Sequence, residues 1–497
     1  MNNKVNLLDL PEIISHVGRF LDQNDHLICI RVSKIFYSTL IRSIWRTILV
    51  SSVQGYPSGE ALQNNKKYIE GIRLYGDIPK EYWSCRDVIA SSSSLRSSVN
   101  TVHARPNPTL KPHQLHNSTI TRIHLTRYSV SDELWQTLLG CTNLERLEIA
   151  YTRTNANIDL FFQLPFNFQN SEASEHIFPN MHTLSIRSVK IINPPYPYTS
   201  SYCLGMLVRE CPGLCALTFD DGTESYKIEQ PKHNDFRRAA FLQHPWALTN
   251  LSELCMPSMI IKDEELAALL RQMTELRKLQ VPSCELGQLS LQELLTEKQG
   301  ILSNGHTMRK TRHRRLCETV EVLTFNVQSA DGIVQAILSN CPRLKRMRGS
   351  KVTVTEIVNG SRWVSTNLTD LNIYLEADVD QETAEGMAKS RIASKQLGKL
   401  TRLRYLDLTR QSPRIRGKNG QLDIKLRAGL DELVNLKNLT WLWFRYDGSQ
   451  RLDFEDATWI VNNWPNIEFL SHFLIDDDLS VSTSVDSLFG SRNIIRS

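Results

Sequence analysis

A six-residue motif recurs along the chain and limits its fold more than any other feature. It is an aliphatic residue, two variable residues, a second aliphatic, one variable residue and a large apolar residue. Clear copies are LERLEI (144–149), MHTLSI (181–186), LCALTF (214–219), LSELCM (251–256), LRKLQV (276–281), VEVLTF (320–325), LTDLNI (368–373), LRYLDL (403–408) and LTWLWF (439–444). Fainter copies start at Ile69, Val99, Ile120, Leu344 and Ile467. The last two apolar positions alternate with polar ones, which is the period of a strand with one buried face. Helical patterns lie between copies, such as DELWQTLLGC (132–141), DEELAALLRQM (263–273) and ADGIVQAILSNC (330–341). Asp132, Asp263 and Asp331 stand at their starts as expected caps or first-turn acids. One strand–loop–helix unit cannot bury its own apolar face, but stacked units can. The chain is therefore predicted to be an α/β solenoid, parallel strands inside and helices outside.

That arrangement resembles a leucine-rich repeat. Successive copies from Leu144 start 24 to 44 residues apart, against roughly 20–29 in regular leucine-rich repeats. Inserted loops are expected at 187–200, 220–245 and 296–316. The predicted organisation is a helical segment over 1–48, an irregular linker with the first divergent repeats over 49–118, the solenoid over 119–474, and a flexible tail over 475–497. The Ser-rich run SSSSLRSS (91–98) is also expected to be flexible. Cys141, Cys211 and Cys341 each stand three residues before a repeat's first aliphatic. Cysteine is small and readily buried, so the recurrence favours core. The alternative is a metal site from Cys203, Cys211 and Cys215, although structural zinc sites use closely paired ligands with a matching second pair.

Residues 8–48 carry no repeat and read as three short helices. Pro11 suits a helix's first turn, where its missing N–H costs nothing. Ile14, Val17, Phe20 and Leu21 are expected on one stripe. DQND (22–25) is a turn in which Asp25 is placed to cap a second helix carrying Leu27, Ile28 and Ile30. A third helix follows Ser33, with Phe36, Leu40 and Ile44. About forty residues is marginal for an independent core, so a neighbouring domain or partner is expected.

This segment resembles an F-box. The matching features are Leu10, Pro11, Glu12 and Ile13 at the start; Phe20, Leu21 and Asp22 before the turn; Val32, Ser33 and Lys34; and the closing Trp45. The family usually has a Trp shortly after the Lys, where this chain has Phe36 and Tyr37. Residues 400–470, with LVNLKNLTWLWF and EDATWIVNNWPNIEFL, look like the C-terminal repeats of fungal F-box/leucine-rich-repeat proteins. The resemblance implies a substrate receptor of a cullin-based (SCF-type) ubiquitin ligase. In it, Leu10, Pro11, Ile14, Leu21, Leu27 and Val32 contact a Skp-type adaptor, and through it a cullin, while the repeats hold a target protein. The competing reading is a repeat scaffold whose helices merely cap the stack.

Composition narrows the classes further. Hydrophobic (41%) and charged (22%) fractions are those of an ordinary folded chain. Lys and Arg number 58 against 53 Asp and Glu, a net charge of +5, which argues against a whole-protein nucleic-acid footprint. The apolar region 27–50 is broken by Arg31, Lys34, Arg42 and Arg46, which argues against a membrane span. Asp9, Pro11 and Glu12 interrupt any signal-peptide core. A cytoplasmic or nuclear protein with ten reduced cysteines is expected. There is no phosphate-cradling Gly-rich loop, His-Glu-x-x-His, Gly-x-Ser-x-Gly or Cys-x-x-Cys. His103, His113, His116 and His124 read as surface-loop residues. No catalytic residue, cofactor or metal is expected.

Strand alternation places Asp370, Asn372 and Tyr374, then Tyr405, Asp407 and Thr409, then Trp441, Trp443 and Arg445 on the open face of neighbouring repeats. Of these, Tyr374, Tyr405, Asp407, Trp441, Trp443 and Arg445 are the candidate target-binding residues, since Tyr, Trp and Arg dominate interface energetics. The alternative is that loops cover this patch. The run Arg309, Lys310, Arg312, His313, Arg314, Arg315 reads either as a solvated loop or as an import or acidic-partner contact, with Arg346 and Arg348 able to extend it.

Overall fold

A computed structural model describes residues 10–51, 59–75, 120–126, 129–130, 141, 143–150, 153–154, 178–191, 198–220, 235–242, 249–297, 314–326, 331–409, 420–444, 452–471 and 479–496. The chain divides into two compact units, Met1–Ala247 and Leu248–Ser497.

The first unit opens with helices α1 (Pro11–Gly18), α2 (Gln23–Cys29) and α3 (Lys34–Trp45). Pro11 occupies the first turn of α1. Asp22, rather than Asp25, caps α2: its carboxylate accepts from the Asp25 N–H at 2.8 Å. Ser33 caps α3 by accepting from the Phe36 N–H. Strands then follow at β1 (Thr47–Ser51), β2 (Gly71–Tyr75), β3 (Arg122–Thr126), β5 (Arg146–Ala150), β7 (Thr183–Arg187) and β9 (Ala216–Asp220). They pair in parallel in that order. The intervening two-residue strands β4 (Ser129–Val130), β6 (Arg153–Thr154) and β8 (Lys190–Ile191) form a second parallel ladder.

The second unit continues the same logic with β10 (Glu253–Cys255), β11 (Lys278–Val281), β12 (Val322–Phe325), β13 (Arg346–Thr353) and β14 (Asp370–Glu376). These are followed by β15 (Tyr405–Asp407), β16 (Trp441–Trp443), β17 (Phe469–Ser471) and β18 (Ile495–Arg496). Each pairs in parallel with the next. Register puts the motif's second aliphatic in one ladder, Leu254–Leu279–Leu323–Met347–Leu371–Leu406–Leu442–Leu470, every member buried. Full burial of such a side chain contributes about 1.5–3 kcal/mol, so the ladder alone stabilises the stack. The fold of each unit is thus an α/β leucine-rich-repeat solenoid.

Several expectations need correction. Asp263 sits in the first turn of helix Asp263–Leu270, but its carboxylate caps the next repeat's helix. It accepts from the N–H groups of Gly287, Leu289 and Ser290 at 2.8, 2.9 and 3.0 Å. Asp331 pairs with Lys351 instead of capping, while Glu356 accepts from the Gly332 N–H that opens helix Ile333–Asn340. Asp132 lies outside the described residues. These two caps run between neighbouring repeats, because stacking brings one helix start beside the next, while Thr353, Thr383 and Asp453 cap their own helices.

The presumed flexible tail forms helix Leu479–Ser491 and strand β18. Val485, Phe489 and Ile494 are buried there and cover the last repeat's apolar edge. The first strand starts at Thr47, just inside the helical segment's expected end. Within the expected loop 220–245, residues 235–242 are helical, and Phe236 and Ala239 press against Gly205 of helix Ser200–Arg209. His124 lies on β3 rather than in a loop and faces Glu148 at 3.1 Å; His103, His113, His116 and the Ser run 91–98 fall outside the described residues. Among those residues, no helix is long and apolar enough to cross a membrane.

Candidate protein-binding surfaces

In the N-terminal helices, Ile14, Leu40 and Ile41 form the inward side. Gly18 lets α1 approach α3 closely, since a Cβ there would come within 2.6 Å of Leu40 Cδ2. Outside that core, large apolar groups remain in solvent. Phe20 is 80% exposed, Val32 67% and Ile28 64%, and Leu10, Ile13, Val17 and Leu27 are exposed as well. Leu10, Ile13, Val17 and Phe20 follow the i, i+3, i+7, i+10 spacing of one helical stripe. A contiguous apolar surface of this kind is what soluble monomers avoid unless it is used.

Of the residues assigned to an adaptor, Leu10, Pro11, Leu27 and Val32 are exposed and Leu21 is half-buried. Ile14 is corrected: at 1% exposure it belongs to the core. The expected stripe of Ile14, Val17, Phe20 and Leu21 divides between core and solvent, because α1 packs on α3 along Ile14 and Gly18 and leaves Val17 and Phe20 outside that contact. Ile13 and Ile28 are outward as well, which the packing of the three helices decides and spacing within one helix does not.

This surface is fixed to the first strands. Glu70 accepts from Arg42 at 3.0 Å and Arg46 at 2.8 Å, and the Glu70 and Gly71 N–H groups donate to the Arg46 carbonyl at 2.9 Å each. Trp45 packs on Ile48 and Ile69 at the same junction.

On the inward face of the second unit, register aligns Arg346, Asp370, Tyr405, Trp441, Phe469 and Ile495 in one row. Arg348, Asn372, Asp407, Trp443 and Ser471 form the next. Trp441 stacks on Phe469 with ring centroids 4.6 Å apart and an interplanar angle of 16°; Trp443 stacks on the same ring at 4.9 Å and 25°. Trp441 remains 39% exposed while Phe469 is buried beneath the pair. Phe469 was missed in the sequence, although its place after Ile467 in a faint repeat was the available signal.

Asp407 and Thr409 are corrected from open face to interior. Asp407 is only 7% exposed and accepts from Asn372 Nδ2 at 2.7 Å, Thr409 N at 2.9 Å and Thr409 Oγ1 at 2.6 Å. Residue 421 pairs antiparallel with Glu376, and Gln421 Nε2 donates to the Leu408 carbonyl beside it. Burial, with Asp407 beside it, pushes the Tyr405 phenol up to about 12, so Tyr405 is a neutral donor at physiological pH. Tyr374 is half-buried. Arg445 lies outside the described residues, as do Arg309, Lys310, Arg312 and His313. Arg314 is exposed, whereas Arg315 is engaged with Glu318 at 2.8 Å.

The cysteines at repeat junctions are buried, as their recurrence suggested. Cys211 Sγ donates to the Leu207 carbonyl, and Cys215 Sγ to that of Gly213. Burial pushes the Cys203 thiol up to about 12 and those of Cys211 and Cys341 higher still. Among the described residues, no cluster of three or more His, Cys, Asp or Glu could hold a metal ion.

No family model matches the chain, and no curated protein matches it. Among solved structures it is similar to an internalin from Listeria monocytogenes, with 15% sequence identity over 76% of this chain and 80% of that one and a TM-score of 0.38. Taken on its own geometry, the molecule is a repeat scaffold suited to protein–protein interaction.

Proposed function

We propose that this chain is a non-catalytic substrate-recognition subunit of a cullin-based ubiquitin ligase. The helices over 11–45 dock on a Skp-type adaptor, and the repeats hold a target protein. One observation carries the reading: a small three-helix segment with its own inward side, Ile14 and Leu40, presents Leu10, Ile13, Val17, Phe20, Ile28 and Val32 to solvent. Its likeness to an F-box names the kind of partner. The mechanism is proximity: a held target has its lysines at raised effective concentration beside a ubiquitin carrier, with no chemistry or cofactor from this chain. Such a subunit works in the cytoplasm or nucleus.

The test is co-purification with the adaptor, comparing wild type with Phe20→Asp and Val32→Asp. Both residues are exposed, so the fold survives the changes. Loss of the adaptor is expected. Unchanged capture leaves the second reading, a leucine-rich-repeat scaffold outside any ligase, which the aromatic inward face alone would also serve.

A further inference from the structure

We propose that the inward face of β11–β17 binds an extended target segment whose carboxylate side chains sit over Lys278, Arg346 and Arg348 and whose large apolar side chain sits on Trp441. This rests on the receptor reading above and names the chemistry of what is received.

The face is graded. On β11, β12 and β13 the inward positions are Lys278, Gln280, Val322, Thr324, Arg346 and Arg348, three cations and no acid, with Glu253 on β10 and Asp370 on β14 flanking them in the same row. Among the described residues, Lys278 and Arg348 have no carboxylate within ion-pair distance, and Arg346 Nε lies at 3.7 Å from Asp370, the outer limit of a pair. Both arginines are exposed. Beyond Asp370 and Tyr405 the face becomes the stacked rings of Trp441, Trp443 and Phe469. Two unpaired cations, a third held only at long range by Asp370, and an aromatic platform with an open face are each incomplete alone, and one peptide completes both.

Strand spacing sets the segment's length. From β13 to β16 is three strand steps, about 14 Å, which an extended chain crosses in about four residues. The anion is a carboxylate rather than a phosphate on electrostatic grounds. The cations are spread over three strands instead of converging on one point, and Asp370 and Asp407 on the next two strands repel a dianion more than a single charge.

The test measures fluorescence anisotropy of the full-length protein with a labelled peptide of three aspartates, a three-residue Gly/Ser spacer and a Trp-Leu pair. Two control peptides replace the aspartates with asparagine or with phosphoserine. The aspartate peptide is expected to bind, to weaken as salt rises, and to exceed the asparagine peptide by about tenfold or more. Arg348→Glu and Trp441→Ala are each expected to weaken it by about tenfold, while Arg348→Lys keeps most of the affinity. Equal binding of the aspartate and asparagine peptides, tighter binding of the phosphoserine peptide, no binding of any, or indifference to Arg348→Glu overturns the proposal. Adaptor co-purification is scored on the same samples: its loss with peptide binding intact sinks the ligase reading alone, and the reverse result sinks this one alone.

Discussion

Glu70 and Arg46 form a 2.8 Å ion pair that ties the end of α3 to the start of β2, and Arg42 joins the same carboxylate at 3.0 Å. The apolar helical surface is therefore held to the repeats by side chains as well as by chain continuity. The Arg42 hydrogen bond does most to hold the Glu70 carboxyl below its ordinary range; partial burial opposes it, and Arg46 adds to the lowering. A lowered folded value gives stability that is present above the unfolded value and lost as pH falls through the folded one. Glu70→Gln is expected to cost about 0.5–1 kcal/mol at neutral pH, the scale of a partly exposed ion pair. The gap to wild type should narrow in acid, as the carboxylate is protonated through its lowered folded value. Urea midpoints at the two pH values check this; a gap that persists in acid means the pair is not its source.

Asp263 accepts from three N–H groups at the start of the helix Gln288–Leu295. Burial raises its pKa, but the Ser290 side chain and those N–H groups outweigh it and bring the value below normal. Asp263→Ala is expected to cost about 1–2 kcal/mol, as loss of a helix cap does, with Asp263→Asn recovering part. Amide exchange at 288–295 is the readout. Faster exchange at 263–270 alone would mean that Asp263 serves only its own helix.

Asp423 behaves in the opposite sense. Its pKa is raised, first by burial, against opposing pulls from Lys425 and Arg427, and its Oδ1 is buried without a hydrogen-bond partner. A raised folded value means that stability is fully present below the unfolded value and declines as pH rises through the folded one. Asp423→Asn should therefore match wild type in acid, where both are neutral, and be the more stable of the two at neutral pH. Melting temperatures across that range decide it, and a variant less stable at neutral pH would show that the Arg427 contact outweighs burial.

Two glycines near the C-terminus predict opposite signs. A Cβ on Gly398 would lie 2.1 Å from the Glu432 carbonyl oxygen, so Gly398→Ala forces backbone apart and should cost at least ~2 kcal/mol. Gly490 has open space around its Cβ position within helix Leu479–Ser491, so Gly490→Ala should stabilise by about 0.5–1 kcal/mol. Thermal unfolding measures both. No effect at Gly490 would argue that the terminal helix does not melt with the repeats.

The parallel strands and their buried ladder were legible because the motif repeats a burial pattern that only stacking satisfies. Cys141, Cys211 and Cys341 were legible for the same reason. The patch was legible in part. Trp441 is exposed as expected, yet Asp407, one strand away on the same face, is buried. Alternation assigns a side chain to a face but says nothing of a segment returning at residue 421.

The sequence by itself determined the repeat and the helical character of 11–45, since each follows from periods of two or 3.6 residues within one element. Tertiary structure alone decided that Ile14 turns in while Ile13 turns out, that Asp263 serves its neighbour's helix, that residues 479–496 close the stack, and that Phe469 underlies both tryptophans. These depend on contacts between residues tens of positions apart, whose geometry is set by how units stack and not by the pattern inside any one of them.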